Sequence, residues 1–180
     1  MRYPISVQDF ETIINGDYVY VDKTDLVYDL TKEHVCFLSR PRRFGKSLLI
    51  STLDAYFQGK KELFEGLKIA DLEKEWVEYP VFRIDFAVGN YSKEGELENI
   101  LDKKISDWEK LYGKSEIANS LGLRFAYVIT KAEEITGHKV VVLIDEYDKP
   151  LLDPLGEEQE IVNRNILRSI YGVFKATDAH

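Results

Sequence analysis

The sequence predicts an α/β fold with a largely parallel sheet, and three observations carry that prediction. Short apolar runs alternate with longer stretches of helical periodicity, and glycines close the helical stretches. One run, VVVLID at 140–145, is aliphatic without polar alternation, as expected of a strand covered on both faces.

Taken in order, the N-terminal region predicts a small cap of two helices and a short extended piece, DYVYVDKT. Asp22, Lys23 and Thr24 are placed to cap a helix beginning near 24. Tyr18 and Tyr20 read as aromatic core packing, with an adenine-pocket lining as the alternative. VCFLS (35–39) predicts a buried strand, and its Cys36 a small core residue. In KSLLISTLDAYFQG, Leu49, Leu53, Tyr56 and Phe57 recur at helical spacing, with Gly59 as the stop. The charge-rich stretches at 60–78 and 153–160 read as connectors. VFRIDF (81–86) is a second strand, with Asp85 read as a loop cap and reach into the site as the alternative.

Leu97, Ile100, Leu101, Ile105, Trp108 and Leu111 mark a helix ended by Gly113, and Leu121, Phe125, Val128, Ala132 and Ile135 another before Gly137. After VVVLID, Asp148 and Lys149 shape a turn before Pro150, with a salt bridge as the alternative. A last helix is expected at 159–174, with Val162, Ile166, Ile170 and Phe174 on one side. The chain reads as one domain, with a cap at 1–33 and a core at 34–180.

Composition narrows the function. The 180 residues are 44% apolar and 31% charged, a globular balance. A formal net charge of -8 argues against a general nucleic-acid or anionic-membrane binder, so any anion site must be local. The one cysteine excludes an internal disulfide and fits a reducing, cytoplasmic compartment. No apolar run approaches the roughly 18–20 residues of a membrane span. His34, His138 and His180 have no zinc-ligand spacing.

The stretch SRPRRFGKSLL (39–49) follows an apolar run and opens a helix. A phosphate loop works there because turn amides and a helix N-terminus surround an anion, a lysine reaches the outer phosphates and a hydroxyl binds Mg²⁺. Gly45 permits close backbone approach, Lys46 neutralises phosphate and Ser47 ligates the metal. Arg40 stands where such loops usually carry glycine, and Pro41 makes the turn rigid. Arg42 and Arg43 add charge that contacts phosphate or faces solvent. The alternative is a strand–turn–helix connection with exposed arginines.

The run KVVVLIDEYDKPLL supplies a second element. Asp145 ends the strand, where a carboxylate holds the water shell of Mg²⁺, and Glu146 follows, where it orients or deprotonates an attacking water. The competing readings are a cap for Asp145 and a solvated acid for Glu146.

Together with YPISVQDFETIINGDYVYVDKTDLVYDL and CFLSRPRRFGKSLLISTLDAYFQGKKELFEGL, these motifs resemble the bacterial AAA-ATPase-like family, over about residues 3–175. The resemblance implies a P-loop NTPase-like three-layer sandwich that binds ATP and Mg²⁺, in which RPRRFGKS is the ordinary loop. It implies nucleotide contact along Arg40, Pro41, Arg42, Arg43, Phe44, Gly45, Lys46, Ser47 and Leu48. It implies metal binding by Ser47 and, through water, Asp145, and chemistry by Glu146 and Lys46. Related proteins continue into further core strands and a restriction-nuclease-like domain, so the chain reads as an N-terminal part with an incomplete sheet. The leading expectation is Mg²⁺-dependent ATP hydrolysis in the complete protein. The alternatives are a non-hydrolysing nucleotide sensor controlling a nuclease or other partner, and nucleic-acid phosphate binding by the RPRR loop.

Overall fold

The structure, a computed structural model, describes residues 2–39, 41 and 44–177, the last three of these as backbone alone. Two compact units are present, Met1–Val81 and Phe82–His180.

In the first unit, α1 (Phe10–Asn15) begins where the Asp9 side chain accepts from the Thr12 amide at 2.8 Å. A second helix, α2 (Thr24–Leu30), follows the extended piece. Then come α3 (Lys46–Phe57), a 3₁₀ turn at Lys61–Phe64 and α4 (Lys68–Leu72). Phe10, Ala55, Leu63, Phe64 and Ile69 form the core, with Tyr20, Tyr56 and Trp76 packed against it. Tyr20 meets Phe10 edge-on at 5.4 Å, the packing role expected from the sequence. Asp22 serves two helix starts: Oδ1 accepts from the Thr24 amide (2.9 Å) and Oδ2 from the Lys68 amide (2.8 Å).

Two expectations fail in this unit. VCFLS is not a strand; Val35 and Phe37 are 75% and 70% exposed, and Cys36 is exposed rather than in a core. An apolar run becomes a strand only when a neighbour takes up its backbone groups, and no strand pairs with it among the described residues. The stretch 60–78 is no mere connector: its charges lie outward while Leu63, Phe64 and Ile69 are buried.

The second unit is built on two strands, β1 (Val81–Asp85) and β2 (Val141–Asp145). The Phe86 amide, just past β1, donates to the Asp145 carbonyl at the end of β2 (3.1 Å). Like ends therefore lie side by side, and the sheet is parallel. The crossover consists of α5 (Glu96–Tyr112) and α6 (Leu121–Thr136). After β2 come α7 (Lys149–Leu152) and α8 (Glu158–Thr177). This is the α/β class expected.

Strand periodicity places Phe82, Ile84 and Phe86 on one face, with Val140, Val142 and Ile144 beside them. That face packs against α5, α6 and α8 through Leu101, Ile105, Phe125, Val128, Leu167 and Ile170. Phe82 stacks on Trp108 with centroids 4.3 Å apart and planes within 6°. The helical stripes run out to solvent at three expected positions, Leu111, Ile135 and Val162. Leu111 and Ile135 lie in the last turns of their helices.

One ion pair clamps the crossover. Arg124 on α6 donates Nε to Glu109 Oε1 (2.9 Å) and Nη2 to Oε2 (2.8 Å), with Ser106 Oγ also at 2.9 Å and Asp102 on its flank. The side chain of Glu109 is only 4% exposed. The Arg124 hydrogen bonds hold its carboxyl below the usual glutamate range. Its contribution is thus full above about pH 4.5 and is lost as pH falls through the lowered value. Arg124→Met should cost about 3–5 kcal/mol at pH 7, since it strands a buried carboxylate. Protonation relieves the variant while it weakens the wild type, so urea midpoints should converge on acidification. A gap that stays constant with pH would contradict the assignment.

Candidate functional site

The helix that opens at Lys46 begins under an unusual cap. Gly45 lies in the left-handed region, φ 75° and ψ 22°, with no atom of the described residues within 4 Å of an added Cβ. Glycine is needed there for its backbone angle and not for space. It offers no side chain to the first-turn amides of a 12-residue helix, whose dipole favours an anion. Lys46 and Ser47 occupy that first turn half-buried, and Leu48 packs against the core of the first unit. Phe44 is 65% exposed and Pro41 is exposed. Arg40, Arg42 and Arg43 lie outside the described residues.

The start of α3 is braced from below. Ser51, buried one turn further on, accepts from the Phe10 amide (2.8 Å) and donates to Asp9 Oδ2 (3.0 Å). The loop helix is thereby tied to the cap that opens α1.

The acidic element lies in the second unit. Asp145 is 4% exposed, and its Oδ1 accepts from the Glu146 amide at 3.0 Å. Glu146 is half-buried and takes φ 50°, a left-handed angle uncommon outside glycine. Its carbonyl accepts from the Lys149 amide (3.0 Å), which closes a tight turn into α7. The turn thus carries a glutamate where glycine would be easier, a pattern found where a side chain is kept for its chemistry. Asp85 Oδ1 accepts from the Ala87 amide (2.8 Å), the loop cap expected. Asp148 holds the next turn with its carbonyl, and Lys149 pairs with Asp153 at 3.3 Å.

The turn is tied to the segment after β1. Lys149 Nζ donates to the Gly89 carbonyl (2.9 Å) and lies 5.0 Å from the centre of the Tyr91 ring. Asn163, fully buried on α8, donates Nδ2 to the carbonyls of Tyr91 and Pro150, each at 2.9 Å. Sequence reading missed Asn163 because only apolar positions were counted along 159–174. The signal was present: Asn163 stands one turn before Leu167 and two before Ile170, on the stripe that is buried. Tyr171, on the same helix, has a buried hydroxyl with no partner among the described residues. Burial, with Tyr147 and Asp148 adding to it, pushes its pKa up to about 12.

The loop with its glycine-capped helix and the buried acid ending a parallel strand are the features shared by phosphate-binding α/β proteins. A family model described as "Predicted AAA-ATPase" matches residues 4–180. The chain belongs to this AAA-ATPase-like family. It is 40% identical over 183 residues to the "Uncharacterized protein in vnfD 5'region" of Azotobacter chroococcum mcd 1, covering 99% of this chain. It spans 35% of that relative's length. No solved structure matches it significantly. Among the described residues, no helix is long and apolar enough to cross a membrane.

The left-handed angle at 146 can be tested by stability alone. Glu146→Gly should leave stability equal or raise it by up to about 1 kcal/mol, since glycine adopts this angle without strain. Glu146→Val should cost about 1–2 kcal/mol. Urea unfolding reads both, and equal losses would show that the turn does not impose the angle.

Proposed function

We propose that the chain is an ATP-binding P-loop domain and that the complete protein hydrolyses ATP with Mg²⁺. The observation that carries this is the left-handed, side-chain-free Gly45 cap before Lys46 and Ser47, in a chain of the AAA-ATPase-like family. The buried Asp145 with Glu146 beside it supports the same reading.

The residues fit the roles assigned to them. The first-turn amides of α3 bind phosphate oxygens, and Lys46 neutralises charge on the outer phosphates. Ser47 and, through water, Asp145 would hold Mg²⁺, which screens charge on the phosphate oxygens. A buried carboxylate such as Asp145 is costly unless a cation or donors face it, and in the structure one oxygen takes the Glu146 amide. Glu146 orients a water in line with the terminal phosphorus and accepts its proton as the bond to the leaving diphosphate breaks.

A second reading is nucleotide sensing without turnover, coupled to an attached or partner nuclease. It is favoured by the chain's spanning 35% of its relative, which leaves most of that protein for other work.

ATP with Mg²⁺ should raise the melting temperature, and Lys46→Ala should abolish the shift. Glu146→Gln should keep the shift and lower turnover by about 10²–10⁴-fold. Turnover absent from the complete wild-type protein, with the shift intact, selects the sensor. No shift in the wild type defeats both readings.

A further inference from the structure

Beyond the sheet, side-chain contacts bind the segment after β1 to the segment after β2. Lys149 Nζ reaches the Gly89 carbonyl, and Ser92 Oγ donates to the Asp153 carbonyl at 3.2 Å. Asn163 Nδ2 joins the Tyr91 and Pro150 carbonyls, both at 2.9 Å. Gly89 makes the close approach possible: at φ 138°, an added Cβ would lie 2.9 Å from both Tyr91 and Ile100.

Asn163 differs from the other members in being fully buried with its amide group satisfied. Both N–H groups have a carbonyl, and Oδ1 accepts from Gln159 Nε2 at 2.9 Å, which fixes the orientation of the amide. Two carbonyls on different segments cannot face one another without a donor between them. The side chain at 163 therefore decides whether Tyr91 and Pro150 can stand together.

We propose that Asn163 is a positioning residue for the acidic turn. It holds Pro150, one residue beyond the Lys149 amide that closes on the Glu146 carbonyl, and so sets where the Glu146 carboxylate stands. This rests on the reading of Glu146 as the group that activates water. Gln159 acts one step further out, by orienting the Asn163 amide.

Asn163→Asp replaces the donor with an acceptor at the same volume, and Gln159→Ala is the milder variant should the first fold poorly. Hydrogen exchange on the full chain should show the amides of 147–149, 151 and 152 exchanging at least about tenfold faster, with α5 and α6 unchanged. Where the wild type turns over ATP, kcat should fall about 10- to 100-fold with KM unchanged, since the phosphate loop is untouched. Unchanged exchange at these turn amides in both variants overturns the proposal, as does acceleration spread evenly over the second unit. So does local acceleration with kcat intact. A complete wild-type protein without turnover defeats the hydrolytic reading instead, and the exchange result then decides by itself whether Asn163 places the turn.

Discussion

The hydrogen bond from the Phe86 amide to the Asp145 carbonyl is the point on which the second unit turns. It sets the ends of β1 and β2 level, with Asp85 beside Phe86 and Glu146 beside Asp145. A parallel pair cannot be closed by a hairpin, so α5 and α6 must carry the chain across. Their shared apolar face then covers the sheet, with Trp108 and Phe125 packed against Phe82 of β1. The crossover is held by packing and by the buried Arg124–Glu109 pair. The strand ends are left open to carry polar groups, as at the carboxyl ends of parallel strands generally.

Those ends concentrate unfavourable local choices. Asp145 is a buried acid, Glu146 holds a left-handed angle, and Gly89 folds its backbone tightly against Tyr91. The first two cost free energy and are met by the Glu146 amide and the closing Lys149 amide, while Gly89 takes its angle without strain and its carbonyl accepts from the Lys149 ammonium. Local strain held by surrounding bonds, beside a core that obeys ordinary packing, is what makes these strand ends the candidate site. The first unit shows the same pattern on a smaller scale. Asp9 and Ser51 fix the helix that opens at Lys46, and Asp22 caps two helix starts at once.

Much of this was legible in the residues. The stripes of α5 and α6 and the aliphatic run of β2 are strong periodic signals, and their glycine stops fell where the helices end. VCFLS misled because apolar content marks a buried strand only if a neighbour pairs with it, and pairing is not a local property. The stretch 60–78 misled in the opposite direction, since its many charges hid Leu63, Phe64 and Ile69. Asn163 escaped because its role depends on two carbonyls distant in sequence, at Tyr91 and Pro150. The acids and the Gly-Lys-Ser turn were found by their positions relative to strand and helix. The angles at Gly45 and Glu146 could come only from the backbone.

If the proposed nucleotide site is right, the glycine-capped start of α3 and the acidic turn after β2 both respond to nucleotide. Hydrogen exchange with and without a non-hydrolysable ATP analogue and Mg²⁺ tests it most directly. Exchange should slow at amides 45–49 and, in the same experiment, at 146–149. Protection confined to other segments, or none at saturating analogue, would contradict it.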